Sequence, residues 1–351
     1  MKKYVAMLFC LAAALVVAVL YSQSAQPRYA AKPLSYWLRK LSQGIQPSNQ
    51  AVTAIRAIGT NGIPIYLRML HARGTPLTTW VRYPDGAFLV DDRMVAGGAL
   101  APGYGLVELL GFEVLQPLGR QDANVVRYDA LRAFAILGEA GAPATTALSN
   151  LLYASDGYRW PAQDPIFRSI HSPEFLNWLR QRDAACCLGH IGHAARAVLL
   201  QGLENSDPGI RAAAAQGLGL GRTNDSAVVE PLVRHLDDTN TSVRITVVWS
   251  LGLVATQLGQ GTNATSVSAI SPMVAPLMRC LSATELYLRS YAAVALGNCH
   301  SAEALPLVAN LVSNGNVGSG TLEAMTRQAL ENITAHPVSY GVQPLKVPAN
   351  P

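Results

Sequence analysis

Residues 206–219 read SDPGIRAAAAQGLG, and the same sentence recurs as DTNTSVRITVVWSLG at 238–252 and ATELYLRSYAAVALG at 283–297. The shared frame is an aliphatic residue, an arginine, a run of small or apolar residues, and Leu-Gly seven and eight positions after the arginine. Asp207 is a natural N-cap, and Pro208 sits in the first turn, where its missing N–H costs nothing. Alanine has high helix propensity and lets a neighbouring helix approach closely. The glycines at Gly219, Gly252 and Gly297 are expected to end their helices in the left-handed conformation. A second helical stretch follows each Leu-Gly, as in Val228, Val229, Leu232, Val233 and Leu236, or Met273, Val274, Leu277, Met278 and Leu281. Pro231, Pro276 and Pro306 are expected to bend the starts of these second helices. The unit is helix–turn–helix, and only stacked units bury their apolar faces.

The pattern Asp-Pro-x-(Ile/Val)-Arg-x-x-Ala-x-x-x-Leu-Gly resembles the bacterial HEAT-like repeat of phycobilisome-lyase-type proteins. That resemblance implies an all-α α-solenoid, a HEAT/armadillo-like right-handed superhelix of about six helix pairs. It also implies that Asp207 caps the second helix of a repeat and that Arg211, Arg244 and Arg289 form a ladder between repeats. Asp238 lies six residues before its arginine rather than four, out of capping register, and Thr284 is the expected cap of the third copy. The sequence PLSYWL, then AIRAIG, then an LRML helix resembles the N-terminal regions of uncharacterised verrucomicrobial-type HEAT-repeat proteins, which brings no activity with it.

Half of the 351 residues are hydrophobic and 14% are charged, so the chain can bury a sizeable core. Met1-Lys2-Lys3 precedes an uncharged apolar segment from Tyr4 to Tyr21, read as a signal peptide or membrane anchor over residues 1–25. Either form places the remainder across the membrane: at the periplasmic face of the inner membrane if anchored, and periplasmic or secreted if cleaved. Residues 26–33 read as a linker. The next helix brings Leu34, Trp37, Leu38 and Leu41 together as a cap on the first repeat. The solenoid is expected to span 26–336, with insertions at about 74–121 and 153–172, a helix at 106–118, and a frayed Pro-rich tail at 337–351.

The insertion at 153–172 places Tyr158, Arg159, Trp160, Phe167 and Arg168 close together in sequence, residue types enriched at binding hot spots. They are the candidate partner contacts. Cys186, His190 and His193 stand at i, i+4 and i+7 and could align as metal ligands on a continuous helix. Leu188-Gly189 is expected to break that helix, and Cys186 and Cys187 read as small core residues. The chain contains no His-Glu dipeptide, which argues against iron-binding HEAT-like hydroxylases, and it lacks nucleotide-binding, hydrolase and zinc-protease motifs. The pairs Asp91-Asp92 and Asp237-Asp238 read as loop or cap residues. Net charge is +5, or +3 without Lys2 and Lys3, with no basic cluster to hold nucleic acid. The expected function is non-catalytic protein or peptide binding in a bacterial cell envelope, with no cofactor, metal or small-molecule substrate. The alternative is an enzyme or metal protein using Cys186, His190 and His193 or the loop at 74–121.

Overall fold

The computed structural model describes residues 26–42, 48–72, 88–90, 93–95, 123–154, 173–221, 226–259, 264–315 and 320–343. The expected N-terminal signal or anchor segment, the helix at 106–118 and most of both insertions lie outside the described residues. No described helix is long and apolar enough to cross a membrane. The span expected to be one solenoid divides into two compact units, Met1–Leu89 with Val95–Pro143, and Val90–Met94 with Ala144–Pro351.

The first unit opens with strands β1 (Arg28–Tyr29) and β2 (Lys32–Pro33), which pair antiparallel, so the expected linker is a hairpin. Ala30 and Ala31 form its turn at φ 45° and 62°, a left-handed pair that alanine adopts only under strain. No alanine-specific signal could have revealed it. Helix α1 (Leu34–Ser42) buries Leu34, Trp37, Leu38 and Leu41, and the Trp37 indole donates to the Tyr29 carbonyl at 3.2 Å. Helices α2 (Asn49–Ile58) and α3 (Ile63–Leu70) form the first described pair. Beyond them lie two three-residue strands, β3 (Phe88–Val90) and β4 (Arg93–Val95), within the first expected insertion. Helix α4 (Ala123–Leu137) packs on α1, α2 and α3. In this unit Gly59 and Gly138 follow the last residues of α2 and α4, at φ 56° and 55°.

The second unit starts with α5 (Thr145–Leu152). Four pairs follow among the described residues. They are α6 (Pro173–Ile191) with α7 (Arg196–Leu203), and α8 (Pro208–Leu220) with α9 (Val229–Arg234). Next come α10 (Thr241–Gln257) with α11 (Ala264–Cys280), and α12 (Leu286–Asn298) with α13 (Leu305–Ser313). Helix α14 (Thr321–Ala335) closes the set. Helices α6, α8, α10, α12 and α14 pack successively on one another, while α7, α9, α11 and α13 form a second layer against them. Short 3₁₀ turns precede α7, α9 and α13. Pro306 and Pro231 both fall in the first turns of their helices, α13 and α9, where a missing N–H breaks no helical hydrogen bond. Among the described α-helices, α11 alone continues through internal prolines, Pro272 and Pro276.

The motif glycines of this unit do not end helices. Gly189, Gly219, Gly252 and Gly297 all lie inside α6, α8, α10 and α12, which corrects the terminator reading. Their use is close approach. A Cβ on Gly189 would lie 2.0 Å from the Gly217 carbonyl oxygen, and one on Gly219 would lie 2.7 Å from Ser250 Cβ. The same construction puts Gly252 3.3 Å from Ala295 and Gly297 2.6 Å from Ala329. Each motif glycine therefore meets a small residue of the next helix. In the first three contacts that residue stands two positions before the next helix's own motif glycine. The resulting seam of Gly, Ser and Ala brings the backbones together without a gap.

Ser250 lies fully buried in this seam, and its hydroxyl has no hydrogen-bond partner among the described residues. A buried unpaired hydroxyl destabilises the folded state. Ser250→Ala keeps the side chain small, removes the orphan group and should stabilise the protein by about 1 kcal/mol. A rise in the denaturation midpoint checks this; a fall would show that Ser250 has a partner in solution.

The expected frayed tail is ordered at its start. Val338 bridges Ser301 in parallel, and Tyr340 is buried. Residues 344–351 lie outside the described residues.

Candidate functional site

The repeat arginines sit at the N-terminal ends of α8, α10 and α12. Asp207 Oδ1 accepts from the Gly209 N–H at 2.7 Å and caps α8. Arg211 Nη1 donates to the carbonyls of Asn205 and Ser206, the residues six and five before it. Arg244 repeats this contact with Asp238 and Thr239, and Arg289 repeats it with Ala283 and Thr284. Each arginine thus fastens the turn that leads into its own helix.

Arg211 and Arg244 also reach the next repeat. Arg211 Nε and Nη2 grip both carboxylate oxygens of Asp238, at 2.7 and 2.9 Å, and Arg244 Nη2 donates to Glu285 Oε1. Burial alone would raise the Asp238 carboxyl. The hydrogen bond from Arg211, the Asn240 N–H and the positive charge of Arg211 outweigh burial and hold it below its usual range. Glu285 is also held low, first by a backbone N–H and then by Thr284 and Arg244 against a small burial effect.

The capping residues follow from this register. Asn240, four before Arg244, caps α10 by accepting from Ser242 and Val243 N–H, a role the sequence reading missed. Asp238 is the counterpart of Asn205: each side chain accepts the N–H two residues on. Thr284 does not cap α12, because its hydroxyl donates to Glu285 instead; Glu285 holds the cap position without a side-chain cap bond. Asp237 and Asp238 part company, Asp237 facing solvent and Asp238 pairing with Arg211.

The Cys-His cluster does not assemble as a metal site. Helix α6 continues through Leu188-Gly189 to Ile191, contrary to the expected break, and the chain turns at Gly192 with φ 81°. That turn leaves His193 exposed, beyond the helix that carries Cys186 and His190. Burial pushes the Cys186 thiol up to about 12 and Cys187 well above its ordinary value, so both are neutral thiols. Among the described residues no three His, Cys, Asp or Glu side chains come together as a metal site.

Tyr158, Arg159, Trp160, Phe167 and Arg168 lie outside the described residues. The described surface offers a different candidate. On α10, Ile245, Trp249 and Leu253 are spaced at i, i+4 and i+8 and remain partly open to solvent. On α12, Tyr287 is 42% exposed, with Tyr291 and Val294 half-buried on the same helix face. The Tyr287 and Tyr291 rings lie 6.4 Å apart, and burial, then Tyr287, raises the Tyr291 phenol. Trp249 and Val294 each stand three residues before their motif glycine, so the repeat register places both stripes on the same side. The signal was present in the sequence: α10 and α12 carry apolar residues on more sides than their packed faces require.

A sequence model of HEAT repeats matches residues 176–252 and 196–268, the stretch that holds Gly189, Gly219 and Gly252 of the seam and the Arg211–Asp238 pair. The chain carries HEAT repeats. No curated protein matches its sequence. Among solved structures, the HEAT-repeat chain is similar to an engineered protein at 18% identity and TM-score 0.37, covering 65% of this chain and 97% of that one. A second engineered protein is similar at 19% identity and TM-score 0.35, covering 86% and 78%. The complex of CpcE and CpcF of phycocyanin lyase from Nostoc sp. PCC7120 is similar at 18% identity and TM-score 0.28, covering 70% and 99%.

Proposed function

We propose that this HEAT-repeat protein is a non-catalytic scaffold that binds a protein or peptide through the outward stripe of α10 and α12. The observation that carries the reading is the solvent exposure of Trp249 and Leu253 on α10 and of Tyr287 and Tyr291 on α12, helices that pack on each other and on both flanks. Aromatic side chains of this kind supply contact area at low entropic cost. The right-handed superhelical stacking suggested by the repeat resemblance would extend such a surface along the solenoid. Placement in a bacterial cell envelope rests on Lys2, Lys3 and the apolar run from Tyr4 to Tyr21. The insertion at 153–172, with Arg159 and Trp160, is a second contact region within the same reading.

A random peptide library selected on the purified chain tests the stripe. Selected peptides should bind a Trp249→Ser/Tyr287→Ser variant at least about tenfold more weakly, with an unchanged melting temperature. Equal binding to both proteins would remove the stripe as the site, and a large drop in melting temperature would make these residues core.

A further inference from the structure

The turn between α12 and α13 is shaped differently from the turns that follow α6 and α10. Where α6 and α10 are followed by left-handed glycines, Gly192 and Gly259, this turn places His300 at φ 54°. A non-glycine residue there is strained and persists only when its surroundings hold it. The conformation directs the His300 carbonyl and the Ala302 N–H toward the same extended strand. Val338 N–H donates to His300 O at 2.7 Å, and Ala302 N–H donates to Val338 O at 2.9 Å.

Side-chain recognition is added to this backbone pairing. Tyr340 is 8% exposed, and its hydroxyl donates to the Cys299 carbonyl at 2.6 Å. Glu303 Oε1 accepts from Ser339 Oγ, the Tyr340 N–H and the Gly341 N–H at 2.9, 2.6 and 3.0 Å, while Ser301 Oγ donates to Oε2. Gly341 then turns away at φ 69°, which a side chain would oppose. Strand pairing, a filled aromatic site and a carboxylate clamp on consecutive N–H groups are the elements by which a protein captures an extended peptide.

We propose that the turn at residues 299–304 is a docking site for an extended Val-x-Tyr-Gly peptide, occupied here in cis by residues 338–341. The partner it fits is a protein segment of that pattern, which must displace the internal copy. Because the internal copy follows α14 directly, its effective concentration is high and it outcompetes a weak external peptide. The site uses other residues than the α10/α12 stripe, so either can fail without the other.

The test uses the full chain and a fluorescein-labelled peptide PVSYGV, the sequence of residues 337–342. Tyr340→Ala disables the internal copy while leaving the site's own residues untouched. Anisotropy should show the peptide binding Tyr340→Ala at least about tenfold more tightly than the parent. Glu303→Gln added to Tyr340→Ala should return most of that gain. Equal, or no, binding to parent and Tyr340→Ala would overturn the proposal. If Tyr340→Ala does not fold, hydrogen exchange of the parent decides. Exchange of the Tyr340 and Gly341 amides well before those of α12 and α13 supports a separable docked segment. Exchange of all of them together shows an integral part of the repeat and overturns it.

Discussion

Gly189→Ala and Gly217→Ala are each expected to lower stability by about 3 kcal/mol, the upper end of the usual cost of overpacking, because the clash is with backbone and a helix must move to relieve it. The added Cβ would stand 2.0 Å from the Gly217 carbonyl oxygen in the first case and 2.4 Å from the Ala185 carbonyl oxygen in the second. Neither obstacle is a flexible side chain that could swing aside. The sign is informative, because alanine at an ordinary helical position is favoured over glycine by about 1 kcal/mol. Gly252→Ala provides the contrast within the same motif. Its Cβ meets Ala295 at 3.3 Å, which a shift of a few tenths of an ångström relieves, so its stability should stay within about 1 kcal/mol of the parent. Urea unfolding followed by helical circular dichroism measures all three. Parent-like midpoints for Gly189→Ala and Gly217→Ala would rule out the close contact of α6 and α8.

Asp238→Ala is expected to cost about 2 kcal/mol at neutral pH, the scale of a charge-assisted pair largely removed from solvent. The loss joins two repeats: Asp238 takes both donors of Arg211 and also orders the turn through the Asn240 N–H. Its pH dependence follows from the lowered carboxyl. The folded value lies below the unfolded one, near 3.9 for aspartate, so the stabilisation is fully present above the unfolded value. It is lost as pH falls through the lower, folded value. Asp238→Asn should therefore flatten the acid limb of the stability curve while matching the parent more closely at the lowest pH. Arg211→Lys should lose most of the same energy, because one ammonium cannot hold two carboxylate oxygens and the carbonyls of Asn205 and Ser206 together. An unchanged acid limb in Asp238→Asn would show that the pair contributes nothing in solution.

The two predictions mark different degrees of legibility. Asp207-Pro208 could be read directly, because an N-cap and a first-turn proline are local chemistry. So could the burial of Leu34, Trp37, Leu38 and Leu41, which needs only helical spacing and an apolar neighbour. The carboxylate partners of Arg211 and Arg244 could not, since they lie 27 and 41 residues away at different positions relative to their own repeats. The cap of the first copy is an aspartate, and the aspartate of the second copy, Asp238, lies out of capping register. The fold instead uses Asn240 at that position and spends Asp238 on the preceding repeat.

The sequence by itself determined the helical repeat, its period and the positions that must be small, because those depend on propensity, capping and side-chain volume within one turn. Tertiary structure decided what the small positions are for. A glycine after an aliphatic residue can end a helix, as at Gly59 and Gly138, or admit a neighbouring backbone, as at Gly189 and Gly219. The choice depends on whether another helix lies within contact distance, and that distance is set by residues 28 to 43 positions further along the chain. The same reason applies to residues 337–341. Their composition suggests a free tail, and only the strained turn at His300 and the Glu303 carboxylate give them a place to bind.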